Sequence, residues 1–289
     1  MDLDLTEDQE AIRDVFADFF TSETGPERAR AAEPVGFDAA AWERLMETGA
    51  PGMGVDADLG GGGASLADLA VVAEEAGARI APLPLVDHQV TARLLANMGG
   101  CDDDVLSGAA IAGLAVRPVE DGTARTVPTG AVAGRLVALD GDRLIAVDGP
   151  PGDPLANHGC LPLAHREVGA ATVLAEGPEA VAAYDRALDE WRTLTASTLV
   201  GITRTALDLG VAYVKEREQF GRPVGSFQAV QHLLADLPGL LDGARLLTAK
   251  AAWAGDRASA GESGVLDVDA NDVTDFGALA TMALVVAGE

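Results

Sequence analysis

The chain has 289 residues with 20 Lys+Arg against 46 Asp+Glu, a formal net charge of −26 at pH 7, and a mean hydropathy of +0.16. With 48% hydrophobic residues it holds enough apolar material for a sizeable core, and its length suits two domains or one large domain with an appendage. So large an excess of acid repels phosphate backbones and anionic lipid heads, which argues against nucleic acid or a membrane surface as the main partner; an anionic ligand must be met by placed arginines or helix N-termini.

Lysine occurs only at Lys215 and Lys250, so arginine carries almost all the positive charge. Cys101 and Cys160 form no CxxC pair and no metal-ligand spacing, which points to a reducing compartment and no bound metal. The start, Met1-Asp2-Leu3-Asp4, lacks a basic n-region, and no uncharged apolar run approaches the ~18–20 residues needed to cross a bilayer. A soluble, cytoplasmic protein is the expectation.

Residues 1–100 read as a helical domain. Thr6 and Gln9 form a capping box ahead of Ile12, Val15, Phe16, Phe19 and Phe20 at helical spacing. A second helix runs from about Asp38 to Thr48 with Trp42, Leu45 and Met46 inward; a third opens at Ser65 and Asp68 and stops at Gly77; His88 to Met98 suits a fourth. Residues 101–178 turn to short alternating stretches and predict a small β region. Arg135–Leu139 and Arg143–Val147 flank an Asp140-Gly141 hairpin turn, and Ala171–Leu174 reads as a further strand. Residues 179–289 predict a helical bundle. One helix reaches about Glu218, with Leu188, Trp191, Leu194, Ile202, Leu209 and Tyr213 on roughly one side. A second runs from near Ser226 to Trp253, with a kink at Pro238-Gly239. A Gly/Ser/Asp linker at 255–270 precedes a last helix. The expected class is α+β, mostly α.

Two stretches narrow the function. The first is Leu59-Gly60-Gly61-Gly62-Gly63-Ala64-Ser65 before a helix ending Glu74-Glu75-Ala76-Gly77. The second runs from Tyr213-Val214-Lys215-Glu216-Arg217-Glu218-Gln219-Phe220-Gly221-Arg222-Pro223 through Ser226-Phe227-Gln228 to His232. With the α–β–α order, these resemble the acyl-CoA dehydrogenase family, especially the shortened subunits of heteromeric bacterial enzymes of steroid and fatty-acid degradation. The resemblance implies a helical domain, a β middle and a C-terminal bundle with FAD bound between subunits. It also implies an acyl-CoA substrate whose α-proton goes to a carboxylate while the β-hydride goes to the flavin.

The segment Arg217 to Gln228 resembles the family's loop that reaches a neighbouring subunit's FAD, which implies cofactor contacts by Arg217, Gln219, Phe220 and Gln228. Arg217 can fork onto a pyrophosphate, Phe220 offers an aromatic face and Gln228 supplies amide donors. The competing reading is an ordinary loop in which Arg217 pairs with Glu216 or Glu218 and Phe220 plugs the core. Asp189-Glu190-Trp191-Arg192 is similar to the family's start of the first bundle helix, which implies substrate contacts by Asp189 and Arg192. A surface i,i+3 ion pair is the alternative. The glycines at 60–63 are read as turn chemistry, His232 as a surface residue, and His88, His158, His165 and His232 lack the spacing of a di-metal bundle.

Three departures qualify the resemblance. Where catalytic relatives carry a Thr-Glu-Pro-type strand, this chain has Ala115-Val116-Arg117-Pro118, which argues against a flavin site built by its own middle region. The helix position of the family's glutamate is Trp191, and adjacent Glu190 is turned about 100° away, so the sequence names no catalytic base. The sequence stops at Glu289, before the family's Gly-rich turn and C-terminal loop, as a cut-down subunit completed by a partner or a fragment would. The expectation is a dehydrogenase subunit in a dimer or heterotetramer with another such chain. The alternatives are a complete homodimeric enzyme and a flavin-free partner or scaffold that binds acyl-CoA or another dehydrogenase chain.

Overall fold

Capping side chains set where the early helices begin. In the computed structural model, which describes residues 3–261 and 275–289, Thr6 and Gln9 each accept a hydrogen bond from the other's backbone N–H and start α1 (Glu7–Glu23). After α2 (Pro26–Ala31), the Asp38 carboxylate caps α3 (Ala39–Glu47), which buries Trp42 and Leu45. Ser65 and Asp68 repeat the reciprocal cap at α4 (Leu66–Ala78).

Gly77, expected as the stop of that helix, lies inside it. A Cβ there would stand 2.0 Å from the Thr198 carbonyl oxygen, so the glycine permits close backbone approach and does not terminate the helix. The fourth helix, α5 (Leu85–Asn97), starts ahead of the expected His88, with Pro84 as its N-cap. Helix α6 (Asp103–Ser107) follows.

The β region holds more strands than its sequence announces. β1 (Ala112–Leu114), β3 (Arg135–Asp140), β4 (Arg143–Asp148) and β6 (Thr172–Glu176) form one sheet in the order β1-β3-β4-β6, with β1 parallel to β3 and the other pairs antiparallel. β2 (Thr123–Val127) and β5 (Ala164–Glu167) make a separate antiparallel pair. Ala115, Ala124, Val127, Leu136, Ala138, Ile145 and Val147 pack together as the core. Asp140 pairs with Arg143, so the turn is Gly141-Asp142, one residue later than expected, with Gly141 at φ +64°.

From Pro178 the chain is again mainly helical. α7 (Pro178–Glu216) spans 39 residues. A two-stranded hairpin, β7 (Glu218–Gln219) and β8 (Arg222–Pro223), leads to α8 (Gln228–Ala235), α9 (Leu237–Ser259) and α10 (Phe276–Gly288). The proline breaks the chain into two helices where a kink in one was expected. Pro238 lies in the first turn of α9, where its missing N–H leaves no intrahelical bond unmade. Of the expected linker, 255–259 belong to α9 and 262–270 lie outside the described residues.

The fold is therefore α+β and mostly helical. Its compact units are Met1–Thr21 with Ala70–Ile80 and Arg192–Glu289, and Ser22–Leu69 with Ala81–Trp191. In the first unit the end of α4 meets α7 backbone to backbone: a Cβ on Gly201 would stand 1.9 Å from the Glu74 carbonyl oxygen. Beside that contact Arg204 bonds Glu74 at 2.7 Å and Glu75 at 2.9 and 3.0 Å, and Arg245 adds a 3.5 Å contact to Glu74.

Candidate functional site

The hairpin after α7 is a tight two-residue turn of Phe220 and Gly221, at φ +55° and +79°. Two positive φ values suit the twist of a hairpin, yet only glycine takes them without cost; a non-glycine residue held there carries roughly 1–3 kcal/mol of strain. The Val224 N–H donates to the Arg217 carbonyl and closes the base of the loop.

This geometry turns the predicted cofactor residues outward. Phe220 is 93% exposed, and Arg217, Gln219 and Gln228 are exposed as well. Among the described residues the Arg217 guanidinium has neither ion-pair nor hydrogen-bond partner, so the reading in which it pairs with Glu216 or Glu218 and Phe220 fills the core is not what the chain adopts. The Phe220 ring meets Phe227 edge to face at 6.2 Å, and the Arg222 guanidinium lies 4.1 Å over the Phe227 ring. That brace was missed in the sequence, although both residues stood in the quoted motif. Together these side chains present a free guanidinium, amide groups and an aromatic ring, a donor set that fits the diphosphate and ring systems of FAD.

Large apolar side chains stand exposed on the helices that flank the hairpin. Leu209 and Tyr213 on α7, Leu233 on α8 and Leu240 on α9 are 61–74% exposed, and α8 buries no residue. Of the apolar positions expected on roughly one side of the long helix, Leu194 is fully buried, whereas Leu209 and Tyr213 are exposed. Between Ile202 and Ala254 the chain has six Lys/Arg and five Asp/Glu, a nearly neutral stretch of a strongly acidic protein.

The second predicted cluster lies on α7. Asp189 and Arg192 are both half-buried, and both are engaged within the chain. Glu190 is buried between two guanidiniums, with Arg93 Nε at 2.9 Å and Arg186 Nε at 3.5 Å. Both of its oxygens are thus engaged by guanidiniums. The Trp191 indole N–H donates to Asp87 Oδ1 on α5 at 2.9 Å. Burial pushes the Asp87 carboxyl up to about 6, against the opposing pull of the Trp191 N–H. Neither Arg93 nor Asp87 was picked out in the sequence; each pairs across about a hundred residues, and no local pattern announces such a contact.

In the Ala115–Pro118 stretch, Ala115 is buried and its carbonyl accepts from the Tyr184 hydroxyl at 2.8 Å, while its N–H donates to Val137. Arg117 and Pro118 are exposed. Within the glycines at 60–63, Gly61 and Gly62 are closely packed: a Cβ on Gly61 would stand 2.2 Å from the Val55 carbonyl oxygen, and one on Gly62 2.8 Å from that of Met53. Among the described residues no cluster of His, Cys, Asp or Glu could hold a metal, and no helix is long and apolar enough to cross a membrane.

Comparisons with known proteins bear on both clusters. The N-terminal domain of acyl-CoA dehydrogenases matches residues 6–101, and the C-terminal domain matches residues 181–266. Acyl-CoA dehydrogenase IpdE2 of Mycolicibacterium smegmatis is 33% identical over 240 residues, covering 81% of this chain and 73% of that protein. A variant of the Tcur3481-Tcur3483 steroid ACAD superposes with a TM-score of 0.79 at 28% identity, over 98% of this chain and 83% of that one. The ChsE4-ChsE5 complex from Mycobacterium tuberculosis shares the fold, with a TM-score of 0.80 at 24% identity over 100% and 83% of the two chains.

Proposed function

The chain belongs to the acyl-CoA dehydrogenase family, and from that footing we propose that it is one subunit of an FAD-dependent dehydrogenase converting an acyl-CoA to its 2-enoyl-CoA, with the flavin seated mainly on a partner chain. The observation that carries this reading is the hairpin: Phe220 is held outward in a strained conformation, and Arg217 has no counter-ion among the described residues. A strained turn that displays an aromatic ring beside an exposed guanidinium suits a ligand or partner outside the chain.

FAD, when bound, supplies the two-electron oxidant that takes the β-hydride. Arg217 would fork onto its diphosphate, Phe220 would pack against a ring, and Gln219 and Gln228 would donate amide hydrogens. Asp189 and Arg192 would meet the acyl-CoA. The base is assigned to the partner, because Trp191 has no carboxylate and Glu190 is held by Arg93 and Arg186. The apolar, nearly neutral surface of α7 to α9 supports assembly with another dehydrogenase chain, since unlike the acidic remainder it opposes no approach.

The test is to purify the chain alone and together with a longer dehydrogenase encoded beside it. Flavin absorbance and enoyl-CoA formation in the mixture alone are the expected result, with both lost in Arg217→Ala. Full flavin occupancy by the lone chain would overturn the proposal in favour of a homodimeric enzyme. Absence of flavin from every pairing, with assembly retained, would favour a flavin-free scaffold.

A further inference from the structure

Carboxylates withdrawn from water in this chain are commonly matched by arginine: Glu190 by Arg93 and Arg186, Glu74 and Glu75 by Arg204, and Asp38 by Arg28. Asp87 is held otherwise. Its carboxyl has the 2.9 Å bond from Trp191 and a bond from its own backbone N–H, and no cation pairs with it among the described residues. The residue as a whole is only partly buried, although its carboxyl is withdrawn from water.

Several charged and titratable groups on the two helices that meet there are committed elsewhere, Arg192 among them. Arg93 and Arg186 face Glu190, Asp189 is engaged in its own contacts, and the His88 ring lies between the Val105 carbonyl and the Ala112 N–H. An ionised carboxylate without a countercharge and partly out of water costs stability that an asparagine in its place would not. A chain folding for stability alone has no use for it. A ligand that brings a hydrogen-bond donor does.

We propose that Asp87 is a specificity-determining residue whose carboxylate, with Trp191 fixing Oδ1, accepts a hydrogen bond from a hydroxyl on the acyl group, so that the preferred substrate class is a hydroxylated acyl-CoA. This rests on the reading that the Asp189–Arg192 stretch meets the acyl-CoA, since Trp191 belongs to that stretch and is bonded to Asp87. A plain hydrocarbon chain laid against Asp87 strands the charge or obliges the carboxyl to take up a proton. A site arranged for a hydroxyl therefore rejects the analogue lacking it far more strongly than a missing methylene would be rejected.

The experiment titrates hexanoyl-CoA and its 4-, 5- and 6-hydroxy counterparts into the full chain, alone and co-purified with its partner, by calorimetry in two buffers of different ionisation enthalpy. At pH 8 at least one hydroxy isomer is expected to bind tenfold or more tightly than hexanoyl-CoA, and this preference should vanish in Asp87→Leu. Near pH 6.5, hexanoyl-CoA should bind with proton uptake that Asp87→Asn abolishes. Asparagine can still accept from the Trp191 indole, so Asp87→Asn behaving as wild type in both preference and proton uptake would mean that Asp87 only holds Trp191, and would overturn the proposal. Equal binding of all four thioesters would overturn it too, while leaving the acyl-CoA reading intact. If no thioester binds in either preparation, that reading itself fails and takes this one with it.

Discussion

Helix α5 buries nine of its thirteen residues, among them the polar His88, Gln89 and Thr91, whereas α8, with Val230, Leu233 and Leu234 in only eight residues, buries none. Capping does not separate the two, since neither has a side chain bonded at its N-cap. Their surroundings do. Much of α5 is answered inside its own unit: His88 is bonded at both ring nitrogens, the Gln89 amide donates to the Ala50 carbonyl, and Arg93 meets Glu190. Among the described residues the apolar side chains of α8 find no such cover. An exposed apolar helix beside an outward-facing hairpin is consistent with the proposed assembly with a partner chain.

The strongest way to break this contrast is to strip α5 of a charge. Arg93→Leu leaves Glu190 buried with only the half-exposed Arg186 beside it, and a loss of about 3–5 kcal/mol is expected in urea unfolding. Leu95→Ala, which opens a cavity at a fully buried position, should cost roughly 2–5 kcal/mol by the same measurement.

A pH series sharpens the contrast further, because two adjacent residues of α5 pull in opposite directions. Asp87 is raised from 3.8 to about 6, so the folded chain retains a proton that the unfolded chain has released; that contribution is full below pH 3.8 and is lost as pH rises to about 6. His88 is lowered by burial from 6.5 to about 4, so its contribution is present above pH 6.5 and is lost as pH falls to about 4. Each is worth about 2–3 kcal/mol, and in the wild type they offset one another. In Asp87→Asn the compensation is gone, and the unfolding free energy should fall by about 2–3 kcal/mol more between pH 7 and pH 4 than it does in the wild type.

The smallest effects on the isolated chain belong to the other side of the comparison. Leu233→Ser and Phe220→Asn should each change its stability by no more than about 0.5 kcal/mol, the latter because asparagine tolerates the turn better than phenylalanine does. Both should nonetheless weaken association with a partner in sedimentation velocity. A stability loss above 2 kcal/mol at either position would mean that α8 and the hairpin are sealed by this chain itself.

How much of this was legible beforehand follows from the range of each interaction. Caps such as Thr6–Gln9 and Ser65–Asp68 act over three residues, so the early helices could be read from spacing alone. The motif Arg217 to Gln228 was visible as letters, yet whether Phe220 points inward or outward depends on two backbone angles that letters do not carry. β1, β2 and β5 were missed because strands of three to five residues give alternation too little length to register. Pro238 was correctly read as a disruption and wrongly as a kink, since a proline in the first turn begins a helix instead of bending one. Trp191 with Asp87 and Glu190 with Arg93 are made by folding, and nothing in either member of a pair points to the other.

The backbone contact of α4 with α7 has a consequence for how this sequence can drift. Gly77 and Gly201 sit opposite carbonyl oxygens of the facing helix at distances that admit no methyl group, so a change at one forces the helices apart and withdraws Arg204 from its two glutamates. Descendants of this chain can then be sorted at a glance: those that keep both small residues together with the arginine retain the spacing, and those that lose one should lose all three.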